Sequence, residues 1–244
     1  MQRVNVFLIV GFSILLNLDV TAQVKDSTSV KRETLTAGMY TATGLCVAGT
    51  TIWLIPDAKE TLQTTFRKGN EDFGVNYDDY LQYVPIAQMY IADVLGIKAR
   101  NNAMNQTVYL IAAELGTAAV THTLKRGLDV QRPNGRRFAF PSGHTSQAFT
   151  VASVLYHEFK DTHKVLAYSG YVFASATGAL RVMNNAHWTS DVLVGAGVAI
   201  GVTELVYLWD PLKRYNLLSD DFSPSVTIVN GNLCFGFAVI INSF

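Results

Sequence analysis

The chain has 244 residues, of which 49% are hydrophobic and 16% charged. That is enough for one domain with a sizeable core, and it is more apolar than an average soluble domain, in which about a quarter of residues are charged. Nineteen basic residues balance nineteen acidic ones, so no whole-molecule field favours a polyanion; nucleic acid is excluded as an expected partner and any electrostatic function must be local.

The chain opens with Arg3, an apolar run from Val4 to Leu18, and the segment Val20-Thr21-Ala22 before Gln23. The run of about 15 residues is shorter than the ~20 needed to span a bilayer. Residues 1–22 therefore read as a secretory signal rather than an anchor, which places the protein in an exported compartment. Residues 23–33 are polar and read as a flexible lead-in. A helical domain is expected over residues 34–210, followed by a tail over 211–244. Thr34 to Pro56 carries no charge and is either a membrane span or a buried helix rich in Thr and Gly. Asp57 to Asp79 is mostly polar and reads as a connecting stretch.

Five further helices are predicted: Leu81–Ile97, Gln106–Leu124, Ser142–Phe159, Val165–Leu180 and Ser190–Trp209. The small-residue series Gly195, Gly197, Gly201 suits close helix packing, in lipid or in a soluble bundle. In the tail, Val226–Val229, the pair Asn230-Gly231, and Leu233–Ile241 suggest a hairpin. The fold class is all-α: a bundle of about six main helices with a short irregular or hairpin tail. Cys46 and Cys234 lack metal-ligand spacing, and Cys46 reads as a small buried apolar residue. An exported active site requires that at least one of the segments near 34–56, 81–97 and 106–124 does not cross a membrane.

Three clusters carry chemistry. They are Lys125 to Arg132-Pro133, then Pro141-Ser142-Gly143-His144, then Arg181 to His187 and Asp191. Each alone has a plain structural reading: a solvated helix end, a turn opening a helix, a histidine bonded to a nearby carboxylate. Together they place Lys125, Arg132 and Arg181 beside apolar helices, where an unpaired charge is costly. A phosphate would compensate all three, because guanidinium groups bind its oxygens in pairs. Ser142 and Gly143 open a helix whose backbone N–H groups form an anion site. Asp191, four residues after His187, can hold one ring nitrogen protonated and leave the other as a nucleophile. His144 is placed to protonate a leaving oxygen. No acidic cluster for a metal is evident, so the cations are expected to take over the electrostatic role of one.

These clusters resemble the type 2 phosphatidic acid phosphatase superfamily, whose pattern runs Lys-x6-Arg-Pro, Pro-Ser-Gly-His and Ser-Arg-x5-His-x3-Asp. The superfamily includes bacterial class A acid phosphatases and vanadium haloperoxidases. The resemblance covers about Asn105 to Trp209 and departs at Leu180, where the pattern has Ser. It implies His187 as nucleophile, Asp191 as its orienting partner and His144 as general acid and then base. Lys125, Arg132, Ser142, Gly143 and Arg181 would bind phosphate, with no metal and no cofactor. Arg126, Arg136 and Arg137 are either contacts to a second phosphate or headgroup, or a solvated loop.

The implied activity is a phosphoric monoester hydrolase acting on a lipid phosphate of the lipid A, undecaprenyl pyrophosphate or phosphatidylglycerophosphate type. The implied location is the bacterial cell envelope, membrane-associated, with the active site facing the periplasm and no obligate protein partner. A soluble periplasmic acid phosphatase, a vanadium haloperoxidase and a non-catalytic headgroup-binding protein are the alternatives.

Overall fold

The computed structural model describes residues 36–69 and 71–209, and the backbone of 222–229 and 232–239. The expected signal and lead-in lie outside the described residues. Eight helices are described: α1 Ala37–Leu54, α2 Pro56–Arg67, α3 Asp78–Leu81, α4 Val84–Val94, α5 Ala103–Leu128, α6 Gly143–Phe159, α7 Lys164–Met183 and α8 Thr189–Leu208. Strands β1 Phe222–Val229 and β2 Asn232–Val239 pair antiparallel as the expected hairpin, with Val229 opposite Asn232. The fold is all-α with this appendage. The expected main helices are α1 and α4 to α8.

Polar side chains fix where the helices begin. Thr36 Oγ1 accepts from Met39 N at 3.1 Å, and Asn102 Oδ1 accepts from Asn105 N at 2.9 Å. Each satisfies one donor that a helix start leaves open. α5 stops where Asp129 turns left-handed, with φ 46°.

The stretch Asp57–Asp79, expected to be a connection, is not one: it contains α2. Pro56 sits in the first turn, Asp57 follows it, and Arg67 lies in the last turn, charges that suit the helix dipole. α2 is polar because it buries little, yet it is anchored. Gln63 Nε2 donates to Val182 O at 3.1 Å and Asn185 Oδ1 at 2.9 Å, and Arg67 Nη1 donates to Met183 O at 2.8 Å. The C-terminus of α7 is thereby held just before His187.

α8 runs through the middle of the bundle. Among the described residues it is the one single helix long and apolar enough to cross a membrane, at mean hydropathy 1.7, but 72% of its apolar window is buried in protein. α1 and α2 pass the same test only as a pair bent by 103°. Of the three segments weighed as spans, only the first therefore qualifies, and only jointly with α2.

Two glycines let α8 approach its neighbours. A Cβ at Gly197 would lie 2.6 Å from Cys46 Sγ on α1, and one at Gly195 would lie 2.9 Å from Ser142 O at the start of α6. The main core gathers Met89, Tyr109, Leu155, Phe159 and Tyr207; a second cluster joins Cys46, Phe140, Val194 and Val198.

Gly195→Ala is expected to push α8 away from Ser142. Overpacking costs about 1–3 kcal/mol, so thermal unfolding should show a Tm several degrees lower. An unchanged Tm would mean the seam yields.

Candidate active site

The basic loop is built from its backbone outward. Beyond Asp129 the chain folds back, with Arg132 N donating to Arg136 O at 2.7 Å and Ala139 N to Val130 O at 2.8 Å. Phe140 is fully buried against Trp53, ring centroids 5.3 Å apart, which pins the loop to α1. Lys125 Nζ donates to Phe138 O at 3.0 Å. Ser142 N donates to Asp191 O at 2.9 Å, tying the start of α6 to α8.

That bond corrects one expectation, because the N–H of Ser142 is spent within the fold. Its side chain is also buried, accepting from Thr145 Oγ1 at 2.9 Å. The outward donors of α6 therefore begin at Gly143. No side chain caps this terminus, so its dipole is open to an anion. A Cβ at Gly143 would meet only Lys125 Cε, at 3.7 Å. The start of α6 and the Lys125 side chain thus lie side by side.

A cavity of about 400 Å3 opens here, with Lys125, Gly143 and His144 in its lining. His187 and Asp191 do not line it; both are almost fully buried. His187 Nδ1 lies 3.3 Å from Asp191 Oδ2, and the same carboxylate oxygen accepts from Trp188 N at 2.9 Å. Lys59 Nζ lies over the Trp188 ring at 4.3 Å, adding α2 to the support of this turn.

Electrostatics link the cavity and the buried pair. Burial, then Arg132 and Arg181, push Lys125 down to about 8. Burial, then Lys125, Arg132 and Arg181, hold His187 well below its ordinary value, so its ring is neutral near pH 7. Burial pushes the Asp191 carboxyl up to about 7, opposed by Trp188 N–H and the Lys125 charge. Arg132 Nε and Arg181 Nε are buried donors without a hydrogen-bond partner. The structure thus groups the positions singled out from sequence, except the Ser142 donors. Arg137 is mostly exposed and paired with Asp129, the solvated-loop alternative.

Sequence reasoning missed two acidic residues. Asp78 is buried, bonded to Arg181 Nη1 and accepting from Asn184 Nδ2 at 3.0 Å. Asp79 Oδ1 lies 2.9 Å from His144 Nε2. Contrary to the expectation that no acidic cluster is present, ligand atoms of Asp78, Asp79 and His144 lie within 4.8 Å of one another. The Arg181 guanidinium bonded to Asp78 opposes a cation there. The only sequence signal was the adjacent pair in Tyr77-Asp78-Asp79-Tyr80, which no spacing rule connects to the other clusters.

The PAP2 superfamily model matches residues 106–215. A curated lipid A 1-phosphatase from Porphyromonas gingivalis is 34% identical over 143 residues, covering 57% of this chain and 32% of that protein. The chain thus spans about a third of the length of that relative. A solved structure titled as the first transmembrane PAP2 type phosphatidylglycerolphosphate phosphatase from Bacillus subtilis aligns with TM-score 0.51 and 17% identity, covering 74% of this chain and 98% of that one. It supports the fold. Aquifex aeolicus LpxE aligns with TM-score 0.47 and 20% identity, over 59% of this chain and 93% of that one.

Burial and the Arg181 charge lower the His144 pKa, while the Asp79 charge and hydrogen bond raise it. Asp79→Asn removes most of the raising influence. An NMR titration of the His144 ring should show its midpoint moving to lower pH; no shift, or an upward one, would sever the two residues.

Proposed function

We propose, from the match of residues 106–215 to the PAP2 superfamily model, that the chain is a metal-independent phosphatase. It removes phosphate from a membrane lipid through a phosphohistidine intermediate. The observation that carries this reading is the set of unanswered donors. Two buried guanidinium Nε–H groups, on Arg132 and Arg181, join Lys125 and an uncapped helix start, all near a neutral imidazole. Such a group of donors is complementary to a tetrahedral oxyanion and to the extra charge of its transition state.

In the first step His187 Nε2 attacks phosphorus while Asp191 steadies the Nδ1 side. The phosphorus–oxygen ester bond breaks, and the leaving oxygen takes a proton from His144. In the second step water attacks the phosphohistidine, His144 takes the water's proton, and the nitrogen–phosphorus bond breaks to release inorganic phosphate. Lys125, Arg132, Arg181 and the backbone N–H groups from Gly143 onward hold the phosphoryl oxygens; the Ser142 N–H, bonded to Asp191 O, takes no part. Asp78 holds one face of Arg181, and Asp79 raises the basicity of His144.

The lipid A 1-phosphatase relative supports a lipid phosphate as substrate, with lipid A the leading class over undecaprenyl pyrophosphate and phosphatidylglycerophosphate. The apolar composition and the expected export signal support a membrane-associated enzyme of the bacterial envelope with its site toward the periplasm. A soluble periplasmic phosphatase is the second reading, favoured by the burial of the apolar helix α8 inside the bundle.

Purified protein in EDTA should release phosphate from lipid A, and His187→Ala should lower turnover by about 10^4-fold or more. Rapid quenching should trap an acid-labile, base-stable phosphoryl label that the variant lacks. Turnover lost on adding EDTA would overturn the metal-free reading. Normal turnover in His187→Ala would overturn the nucleophile.

Lys125 supplies a second check. Its charge is present below about 8 and lost above it. Inhibition by inorganic phosphate should therefore weaken by about 10- to 100-fold as pH rises through that value, the range for hydrogen bonds to a charged group. In Lys125→Arg, which stays charged, that limb should disappear.

A further inference from the structure

The cavity in front of His144 extends beyond the phosphate site, and its far wall asks for something a phosphate cannot give. Gln82 is almost fully buried there; its Nε2 donates to Asp79 O at 3.0 Å, while its Oε1 is buried with no partner. Glu114, on α5, lines the same cavity and its Oε1 is likewise buried and unpartnered. The neighbouring hydroxyls do not answer them. Thr117 Oγ1 accepts from Thr150 Oγ1 at 2.9 Å, and Thr121 Oγ1 donates to Ser146 Oγ at 3.3 Å. Two residues with unpartnered acceptors therefore line one cavity together with Lys125.

We propose that Glu114 and Gln82 form a leaving-group subsite for an alcohol bearing free hydroxyl or amide N–H donors next to the phosphate ester, as on a sugar or glycerol headgroup. This rests on the phosphatase reading of the same site and deepens it. A buried acceptor without a partner is costly, and a ligand donor removes that cost. The two oxygens cannot be answered by a polyprenyl chain or by the ester-capped glycerol of a diacyl phosphate. The volume of about 400 Å3 falls within the ~300–1,000 Å3 of ordinary small-ligand sites. Burial alone pushes the Glu114 carboxyl up to about 7, so near neutrality it can donate as well as accept, matching a hydroxyl that does both.

The roles across the cavity then differ. The cations and helix start recognise phosphate whatever bears it. Gln82 and Glu114 read the first few atoms beyond the bridging oxygen. A site built to bond a substrate hydroxyl discriminates strongly against the analogue that lacks it. Gln82 also bonds the backbone of Asp79, whose carboxylate holds His144. Filling the subsite therefore bears on the group that must protonate the departing alcohol.

The test uses the full chain and two matched pairs of soluble esters: glucosamine 1-phosphate against cyclohexyl phosphate, and glycerol 1-phosphate against propyl phosphate. Wild-type kcat/KM should favour the hydroxylated member of at least one pair by about tenfold or more. Which pair responds separates a sugar from a glycerol. In Glu114→Leu and Gln82→Leu that preference should collapse toward unity, and Glu114→Gln should retain part of it. Equal kcat/KM within both pairs in the wild type, or an undiminished preference in both leucine variants, would overturn the subsite.

Failure of the phosphatase reading looks different, with no member of either pair turned over. Calorimetric binding of the same four esters to His187→Ala then decides the subsite alone. Preference for the hydroxylated members supports it, and equal or absent binding of them overturns it.

Discussion

Repulsion among Lys125, Arg132 and Arg181 is the constraint around which the rest of the structure is arranged. The three come from different places: the end of α5, the loop after it, and the end of α7. Arg132 and Arg181 lower the pKa of Lys125, Arg181 lowers that of Arg132, and all three depress His187. Chains do not gather like charges against buried surface without compensation. Part of that compensation is internal: Asp78 takes one side of Arg181, and Asp191 lies within electrostatic reach of Lys125. The remainder is left open, as two unpartnered guanidinium donors and a bare helix start. A site of this kind is poised for an anion, and the same arrangement keeps the adjoining imidazole neutral. Together with burial, the gathered cations thus account for both the open donors and the neutral imidazole.

Holding the cluster together falls to elements with little core of their own. α2 is largely polar and buries only Gln63, yet Gln63, Arg67 and Lys59 secure the end of α7, the turn after it and Trp188. The single turn α3 brings Asp78 and Asp79 against Arg181 and His144. Asn184 links the two sides, donating to Val75 O and Asp78 while accepting from Val75 N. Hydrogen bonds of this kind fix side-chain direction better than apolar packing does, which suits a site whose groups must converge on one point.

What the sequence made legible follows the same division. The six main helices were readable because apolar runs and clear start signals coincide, as at Ser142 and Gly143. The candidate site residues stood out because fixed spacings across α5 to α8 and the loops between them match a family pattern. α2 was not, because periodicity depends on a buried face and this helix has almost none. Asp78 and Asp79 were not, because their partners Arg181 and His144 lie 103 and 65 residues away and pairing over that distance leaves no local mark. The Ser142 N–H was misassigned for a related reason: a long-range acceptor, the carbonyl of Asp191, claims it. Gln82 and Glu114 looked like ordinary helix residues, since only the cavity distinguishes them.

The apolar helix α8 has two roles that would conflict in a less closely packed bundle. Its first turn carries Asp191, buried and needed beside His187, and its Gly195 lets the start of α6 rest against it. Farther along, Gly197 admits α1 through Cys46 and Ala42 O. A helix with side chains at those positions would press against Ser142 O and α1, straining the bond from Ser142 N to Asp191 O and the register between the start of α6 and His187. The small residues of α8 are therefore explained by the site as much as by any membrane. Their spacing suits close helix contact in either solvent, but here the contact they permit is the one that sets α6 and the His187–Asp191 pair at a fixed separation.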